Sequence, residues 1–101
     1  MCGLNISKDK KMNQQMSRSV IIVNELGLHA RSAAKIAQLA QQASADVWLE
    51  KDGERADATS IIDLIGLICP QGTEVSVIIS EKNDVNILND LVALVADGFG
   101  E

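Results

Sequence analysis

The sequence predicts an α+β domain, a four-stranded antiparallel sheet with its apolar face covered by three helices and its other face open to water, in the order β-α-β-β-α-β-α. Short β-branched or alternating apolar runs recur between segments whose apolar residues fall three and four positions apart, the periods of strand and helix respectively. An Asp52-Gly53 pair sits between two of the strand-like runs, and 101 residues leave room for one domain.

Ser19-Val20-Ile21-Ile22-Val23 is a β-branched run expected as a strand buried for much of its length, ending at Asn24-Glu25-Leu26-Gly27. From Ala30 to Ala43 the pattern becomes helical: Ala33, Ile36, Ala37, Ala40 and Ala43 form a stripe, with Arg31, Lys35, Gln38 and Gln42 off it. Alanine makes this helix strong and able to pack closely. Asp46 to Glu50 reads as a strand with Val47 and Leu49 on one face, and Asp52-Gly53 turns the chain into a partner strand at Arg55 to Asp57. Thr59-Ser60 opens a short helix carrying Ile61, Ile62, Leu64, Ile65 and Ile68, with Pro70 and Gly72 expected to terminate it. Val75, Val77 and Ile79 alternate in a further strand. Asp84 then caps a last helix with Val85, Leu88, Leu91, Val92 and Val95, which Gly98 stops. No internal repeat or low-complexity segment interrupts this order.

Composition excludes several function classes. Hydrophobic residues are 47% and charged residues 23%, which supplies a core and rules out a chain disordered throughout. Trp48 and Phe99 are the only aromatics and the net charge is -5, so neither base stacking nor phosphate neutralisation favours nucleic acid. Lys8, Lys10, Lys11 and Arg18 make the first twenty residues basic, while the remainder is acidic and suited to basic partner surfaces. Residues 1–17 are polar without an apolar period and are expected to be a flexible tail preceding a domain at 18–101, with Met12 and Met16 as alternative translation starts. Cys2 and Cys69 lack zinc-type spacing and read as reduced thiols. One histidine and two remote cysteines do not make a metal site, and no cofactor is expected. No apolar run is long enough to span a bilayer and no signal-type stretch opens the chain, so a cytoplasmic protein without membrane insertion is expected.

The only histidine, His29, lies where the loop after the first strand meets the alanine-rich helix. A helix N-terminus offers free backbone N–H groups and partial positive charge, and Arg31 adds a fixed cation able to hold phosphoryl oxygens. With Gly27 permitting an unusual loop conformation and the N–H groups of Ala30, Ser32 and Ala33 as donors, this is a seat for a phosphoryl group on imidazole. The same residues also fit an ordinary surface histidine at a loop end.

Gly27-Leu28-His29-Ala30-Arg31-Ser32-Ala33-Ala34 resembles the active-site segment of HPr, the histidine phosphocarrier family of the bacterial phosphoenolpyruvate-dependent phosphotransferase system. The resemblance runs from about Ser19 to Glu101 and takes in Asp52-Gly53, Thr59-Ser60-Ile61, Gln71-Gly72-Thr73-Glu74 and Gly98-Phe99-Gly100-Glu101. It implies an open-faced β-sandwich and a phosphocarrier, not an enzyme in its own right. His29 would accept phosphoryl from enzyme I and donate it to an enzyme IIA-type domain, with Arg31 stabilising the group in transit. The chemistry needs a neutral imidazole nucleophile, and positioning with electrostatics does most of the work. Ser60 corresponds to the serine that an ATP-dependent kinase phosphorylates in many relatives. It also begins a capping-box-like Ser60-Ile61-Ile62-Asp63, so regulation and simple capping are both open. Ile61, Ile62, Leu64 and Ile65 lie on the helix that relatives use to contact partners, and some of them are expected to form an exposed docking patch, although these spacings also suit a core helix. A monomer docking transiently is expected.

The chain departs from the family pattern in places. Ser32 stands where sugar-transport members carry proline and the nitrogen-related branch often carries alanine. Asp63 stands where relatives commonly have glycine, and Ile68-Cys69-Pro70 replaces a glycine-containing stretch. These changes leave a second reading beside the carrier: a regulatory binding protein whose phosphorylation at His29 or Ser60 controls docking without onward transfer.

Overall fold

Backbone pairing joins four strands into a single antiparallel sheet in the order β1-β4-β2-β3, where β1 is Met16–Ile21, β2 Val47–Lys51, β3 Glu54–Asp57 and β4 Glu74–Ile79. Three helices, α1 (Ala30–Ala40), α2 (Ile61–Gly66) and α3 (Val85–Ala96), cover one face, and short 3₁₀ turns at Lys82–Asp84 and Gly98–Gly100 flank α3. The computed structural model describes residues 15–101, so Cys2, Met12 and most of the expected tail lie outside the described residues. α3 lies along β1 and β4, α2 beside β3, and α1 against both other helices.

The core follows the two periodicities. Val47 and Leu49 of β2, and Val75, Val77 and Ile79 of β4, turn inward to meet Ala33, Ile36 and Ala40 of α1, Leu64 of α2, and Leu88, Leu91 and Val95 of α3. Burial of each large aliphatic side chain contributes about 1.5–3 kcal/mol. Asp52 and Gly53 both have positive φ, the type I′ geometry that an Asp-Gly pair favours, and they fix the β2–β3 register at Lys51 opposite Glu54.

Four local expectations need correction. β1 begins at Met16, inside the segment expected as tail, and it is an edge strand exposed along most of its length. Only alternate residues turn inward: Val20 is half-buried and Ile22 fully buried, whereas Ile21 and Val23 face solvent. The first helix stops at Ala40, not Ala43. Asp84 explains this, because its buried carboxylate accepts from the N–H groups of Ser44 (2.8 Å) and Ala45 (3.1 Å) and from the Ser44 hydroxyl (3.0 Å). Asp84 therefore occupies the N-cap position of α3 while its side chain caps nothing there. The short helix ends at Gly66, well before Pro70, and Ile68 lies beyond it in the left-handed region at φ 57. The Lys51 ammonium donates to the freed carbonyls of Leu67 (3.1 Å) and Ile68 (2.7 Å), taking over the task of a C-cap.

The opposite sheet face carries no helix among the described residues and is open to water, as expected. Ile78 is buried there opposite Trp48, and the Arg55 guanidinium lies 5.0 Å from the Trp48 ring centroid while donating to Glu50 at 2.9 Å.

Replacing Asp84 by alanine strands the two N–H groups after α1 and should lower stability by about 2 kcal/mol. Urea denaturation reads this as a fall in midpoint at constant slope, and an unchanged midpoint would show that the carboxylate does not fix the end of α1.

Candidate functional site

The site begins with a backbone constraint. β1 leads through Ile22 into a turn in which Gly27 N–H donates to Asn24 O (3.1 Å) and Leu28 N–H donates across to Cys69 O (2.8 Å). Gly27 has φ 69, and a Cβ on it would stand 2.6 Å from Cys69 O and 2.8 Å from Pro70 Cα. The loop before α1 is thus pressed directly on the loop after α2, and only glycine fits. Cys69 packs in this joint; burial pushes its thiol up, only partly offset by the Lys51 charge, so it is a poor nucleophile.

His29 is the N-cap of α1, with extended backbone. Its own N–H donates to Ser32 Oγ at 2.8 Å, and the Ser32 hydroxyl faces the carbonyls of His29 (3.1 Å) and Gly27 (3.3 Å). Ser32 is fully buried and closes half of a capping box on the histidine. The imidazole is 27% exposed, and its Nε2 lies 2.9 Å from Glu101 Oε2. Glu101 is in turn held at Oε1 by Asn24 Nδ2 (3.1 Å), and Lys35 Nζ donates to Phe99 O (2.6 Å), so the chain after α3 is tied beside the histidine. Burial alone would raise the Glu101 carboxyl, but hydrogen bonds from Asn24 and His29 and the charges of His29 and Lys35 hold it below its ordinary value.

Arg31 stands exposed on the first turn, with no hydrogen bond or ion pair among the described residues. Ala30 and Arg31 precede the first helical hydrogen bond, so their N–H groups face the space in front of the helix. Ala33 does not join them as expected: its N–H donates to His29 O at 2.8 Å and its side chain is buried. Ser32 N–H faces the His29 imidazole. The arrangement sets an imidazole, an exposed arginine and the first-turn N–H groups at the same end of one helix, the kind of setting that suits a tetrahedral anion.

The expected docking residues divide. Ile62 is 78% and Ile61 38% exposed, whereas Leu64 is fully buried and Ile65 is half-buried against the core. Leu64 is therefore core, because a helix of six residues on a sheet turns one side inward and Leu64 lies at its centre. Leu26 (70%) and Ile68 (68%) were not foreseen as surface, yet both are exposed on the two loops joined by the Leu28–Cys69 bond. Ser60 is the N-cap of α2, its Oγ accepting from Asp63 N–H at 3.2 Å, and Asp63 places its acid in the first turn where the helix dipole favours it. Glu101, Asn24 and Lys35 were missed as site residues. The one signal for them was that the resemblance continued through Gly98-Phe99-Gly100-Glu101.

Two outcomes test this geometry. Gly27→Ala should lose more than ~2 kcal/mol, combining the left-handed backbone penalty with a clash against main chain, and thermal unfolding reads the loss. Because the folded Glu101 carboxyl titrates below its ordinary value, its contribution is complete above pH 4.5 and disappears as pH falls through the lowered value. The stability difference between the protein and Glu101→Gln should therefore shrink as pH falls below that value. A difference independent of pH in chemical denaturation would show that the carboxylate is not held by these partners.

A family profile described as "PTS HPr component phosphorylation site" matches residues 16–97. The chain is 35% identical over 86 residues to the phosphocarrier protein HPr of Cupriavidus necator, covering 85% of this chain and 97% of that protein. It is 41% identical over 71 residues to the HPr-like protein Crh of Bacillus subtilis, covering 70% and 84%. The crystal structure of a phosphocarrier protein HPr from Bacillus anthracis superposes with a TM-score of 0.74 at 30% identity, covering 80% of this chain and 96% of that one. Matches of this extent, on a site built around the sole histidine, establish that the chain belongs to the HPr family of the phosphotransferase system, phosphocarrier proteins and not enzymes.

Proposed function

We propose that the protein carries a phosphoryl group on His29, accepting it from the phosphohistidine of enzyme I and passing it to an enzyme IIA-type domain. The observation that carries this reading is the placement of the imidazole at the N-cap of α1, with an uncommitted Arg31 and the free N–H groups of Ala30 and Arg31 on the same turn. Nε2 is engaged by Glu101, so Nδ1 is the attacking nitrogen, its lone pair turned to the phosphoryl group once it is clear of the Ser32 N–H that faces the ring. Attack forms a P–N bond at Nδ1 as the donor's P–N bond breaks, the electron pair returning to the donor imidazole. Arg31 and the helix N–H groups offset the charge on the phosphoryl oxygens during transfer.

A carrier must also release its cargo. The shallow site suits this: it holds one cation and a helix end, and the partner supplies the remaining groups. Ile61, Ile62, Leu26 and Ile68 are exposed apolar side chains that a partner would cover, and the acidic balance of the chain favours a basic rim on the partner.

A second reading makes the protein a regulatory binding protein controlled by phosphorylation at His29 or by a serine kinase at Ser60. The likeness to Crh and the position of Ser60 at the exposed start of α2 favour it. A phosphate on Ser60 would lie beside Ile61 and Ile62 and add charge to an already acidic surface.

Incubation with phosphoenolpyruvate, magnesium and enzyme I should add one acid-labile phosphoryl group by intact mass. His29→Ala should remain unlabelled, and Arg31→Ala should be labelled about 10²–10³ times more slowly, the range for loss of one charge-stabilising donor. Absence of label with a demonstrably active enzyme I overturns the carrier reading in favour of the regulatory one.

A further inference from the structure

From the open edge of β1 we infer that the protein pairs with a second copy of itself, the two β1 strands running antiparallel about a two-fold axis at Ser19 and joining two four-stranded sheets into one. The inference is independent of the carrier reading, since it uses no residue of the histidine site.

The main chain of β1 determines which groups are left over. Ile22 N–H donates to Thr73 O at 2.9 Å and Ile22 O accepts from Gly72 N–H at 2.7 Å, so residue 22 turns both groups toward the β4 side. By the alternation of an antiparallel ladder, Val20, Arg18 and Met16 do the same, and Ser17, Ser19 and Ile21 point their N–H and C=O groups away from the sheet. No strand pairs with that side of β1 among the described residues. Beyond Ile22 the Gln71 amide donates to the Val23 carbonyl at 2.9 Å, which closes the row. The open stretch is thus Ser17 to Ile21, with Ser19 at its centre.

The two edges of the sheet differ. β3, at the other edge, has four residues of which Glu54, Arg55 and Asp57 are charged, a pattern that discourages further strands from adding on. β1 has six residues with neither proline nor lysine, and its one charged side chain, Arg18, is tied to Asn89 of α3 at 2.9 Å. Met16, Ile21 and Val23, on this strand or just after it, are exposed apolar side chains for which the transfer reading has no use. An edge of this length and composition is a template for pairing.

A second copy is the occupant these features select. The row is its own complement: with Ser19 facing Ser19 of the second copy, Ser17 faces Ile21 on either side, and each such pair exchanges two main-chain hydrogen bonds. On the helix face this register sets Arg18 opposite Val20, so no like charges meet across the seam. The chain has a net charge of -5, and two such molecules approach most readily where carboxylates are absent. β1 has none. The flank of α3 over it, marked by Asn89 at Arg18, continues through Ala93 and Ala96, both small, exposed and uncharged. Glu74, opposite Ile21, stands one strand further in. No side-chain hydrogen bond of the histidine involves a residue from Ser17 to Ile21, so pairing leaves each site as it stands.

Sedimentation of the full chain across a concentration series tests this. The mass should move from that of the monomer toward twice that value as concentration rises, because a strand pair is a small interface and its dimer a weak one. The Ser19 and Ile21 amides should exchange with solvent more slowly at high concentration than at low. Ser19→Pro removes an N–H that β4 does not use, so it should keep the fold in thermal unfolding while weakening association about 10–100-fold, the range for losing the two central hydrogen bonds. Ser19→Lys, which sets like charges face to face at the axis, should also weaken it and leaves the backbone unaltered. In a Cys2→Ser background, Ser19→Cys should cross-link on oxidation and Ser17→Cys should not, since only residue 19 meets itself. A chain that stays monomeric at every concentration, the state expected from the sequence, overturns the inference. So does a dimer that both substitutions at Ser19 leave intact, which places the contact on another face. Protection of the Ser19 and Ile21 amides in a monomer, independent of concentration, overturns it in favour of residues 1–14 as the segment covering the edge.

Discussion

The contact on which the site depends is the hydrogen bond from Leu28 N–H to Cys69 O, made at a glycine that no side chain could replace. It joins the loop leaving the edge strand to the loop leaving α2, segments about forty residues apart in sequence. Everything at the site is referred to that joint. It sets the direction in which α1 starts, and therefore where the free N–H groups of its first turn point and where the His29 imidazole stands. The two loops it joins each carry an exposed apolar side chain, Leu26 and Ile68.

The joint is possible because of the sheet order. β1 pairs with β4, and the segment before β4 carries the Thr73 and Gly72 groups that bind Ile22 on both sides. The return from α2 is therefore forced past the exit of β1. Lys51, at the end of β2, holds the carbonyls of Leu67 and Ile68 and lets the chain turn at a β-branched residue in the left-handed region, a conformation glycine would take freely. Here an ammonium group holds the turn in place of a glycine, and the isoleucine at its apex stands exposed.

What was legible in the sequence was local. The alanine stripe and its N-terminal histidine, the Asp-Gly hairpin, the alternation of β4 and the role of Gly27 as a special loop position all depend on residues a few positions apart. What was not legible depends on distant partners. Leu64 and Ile62 are chemically alike in a six-residue helix, and only the sheet beneath decides that one is core and the other surface. Asp84 has the chemistry of a helix cap and sits in a cap position, yet its carboxylate is drawn to N–H groups forty residues earlier. Glu101 carries no sign of function in its own neighbourhood, because its place beside His29 comes from three left-handed residues, Gly98, Phe99 and Gly100, and a buried phenylalanine whose effect appears only once α3 is packed.

These distant contacts also separate what holds the site from what it exposes. Asn24, Ser32 and Gly27 are buried and bind one another, the backbone of His29 or Glu101, while Arg31 and the first-turn N–H groups remain uncommitted. On the proposed carrier reading, the frame around His29 is oriented before a phosphoryl group arrives, so little ordering accompanies its capture. On that reading capture and release fall to different residues: the buried ones fix the geometry, and the exposed Arg31 and first-turn N–H groups are left to meet the cargo.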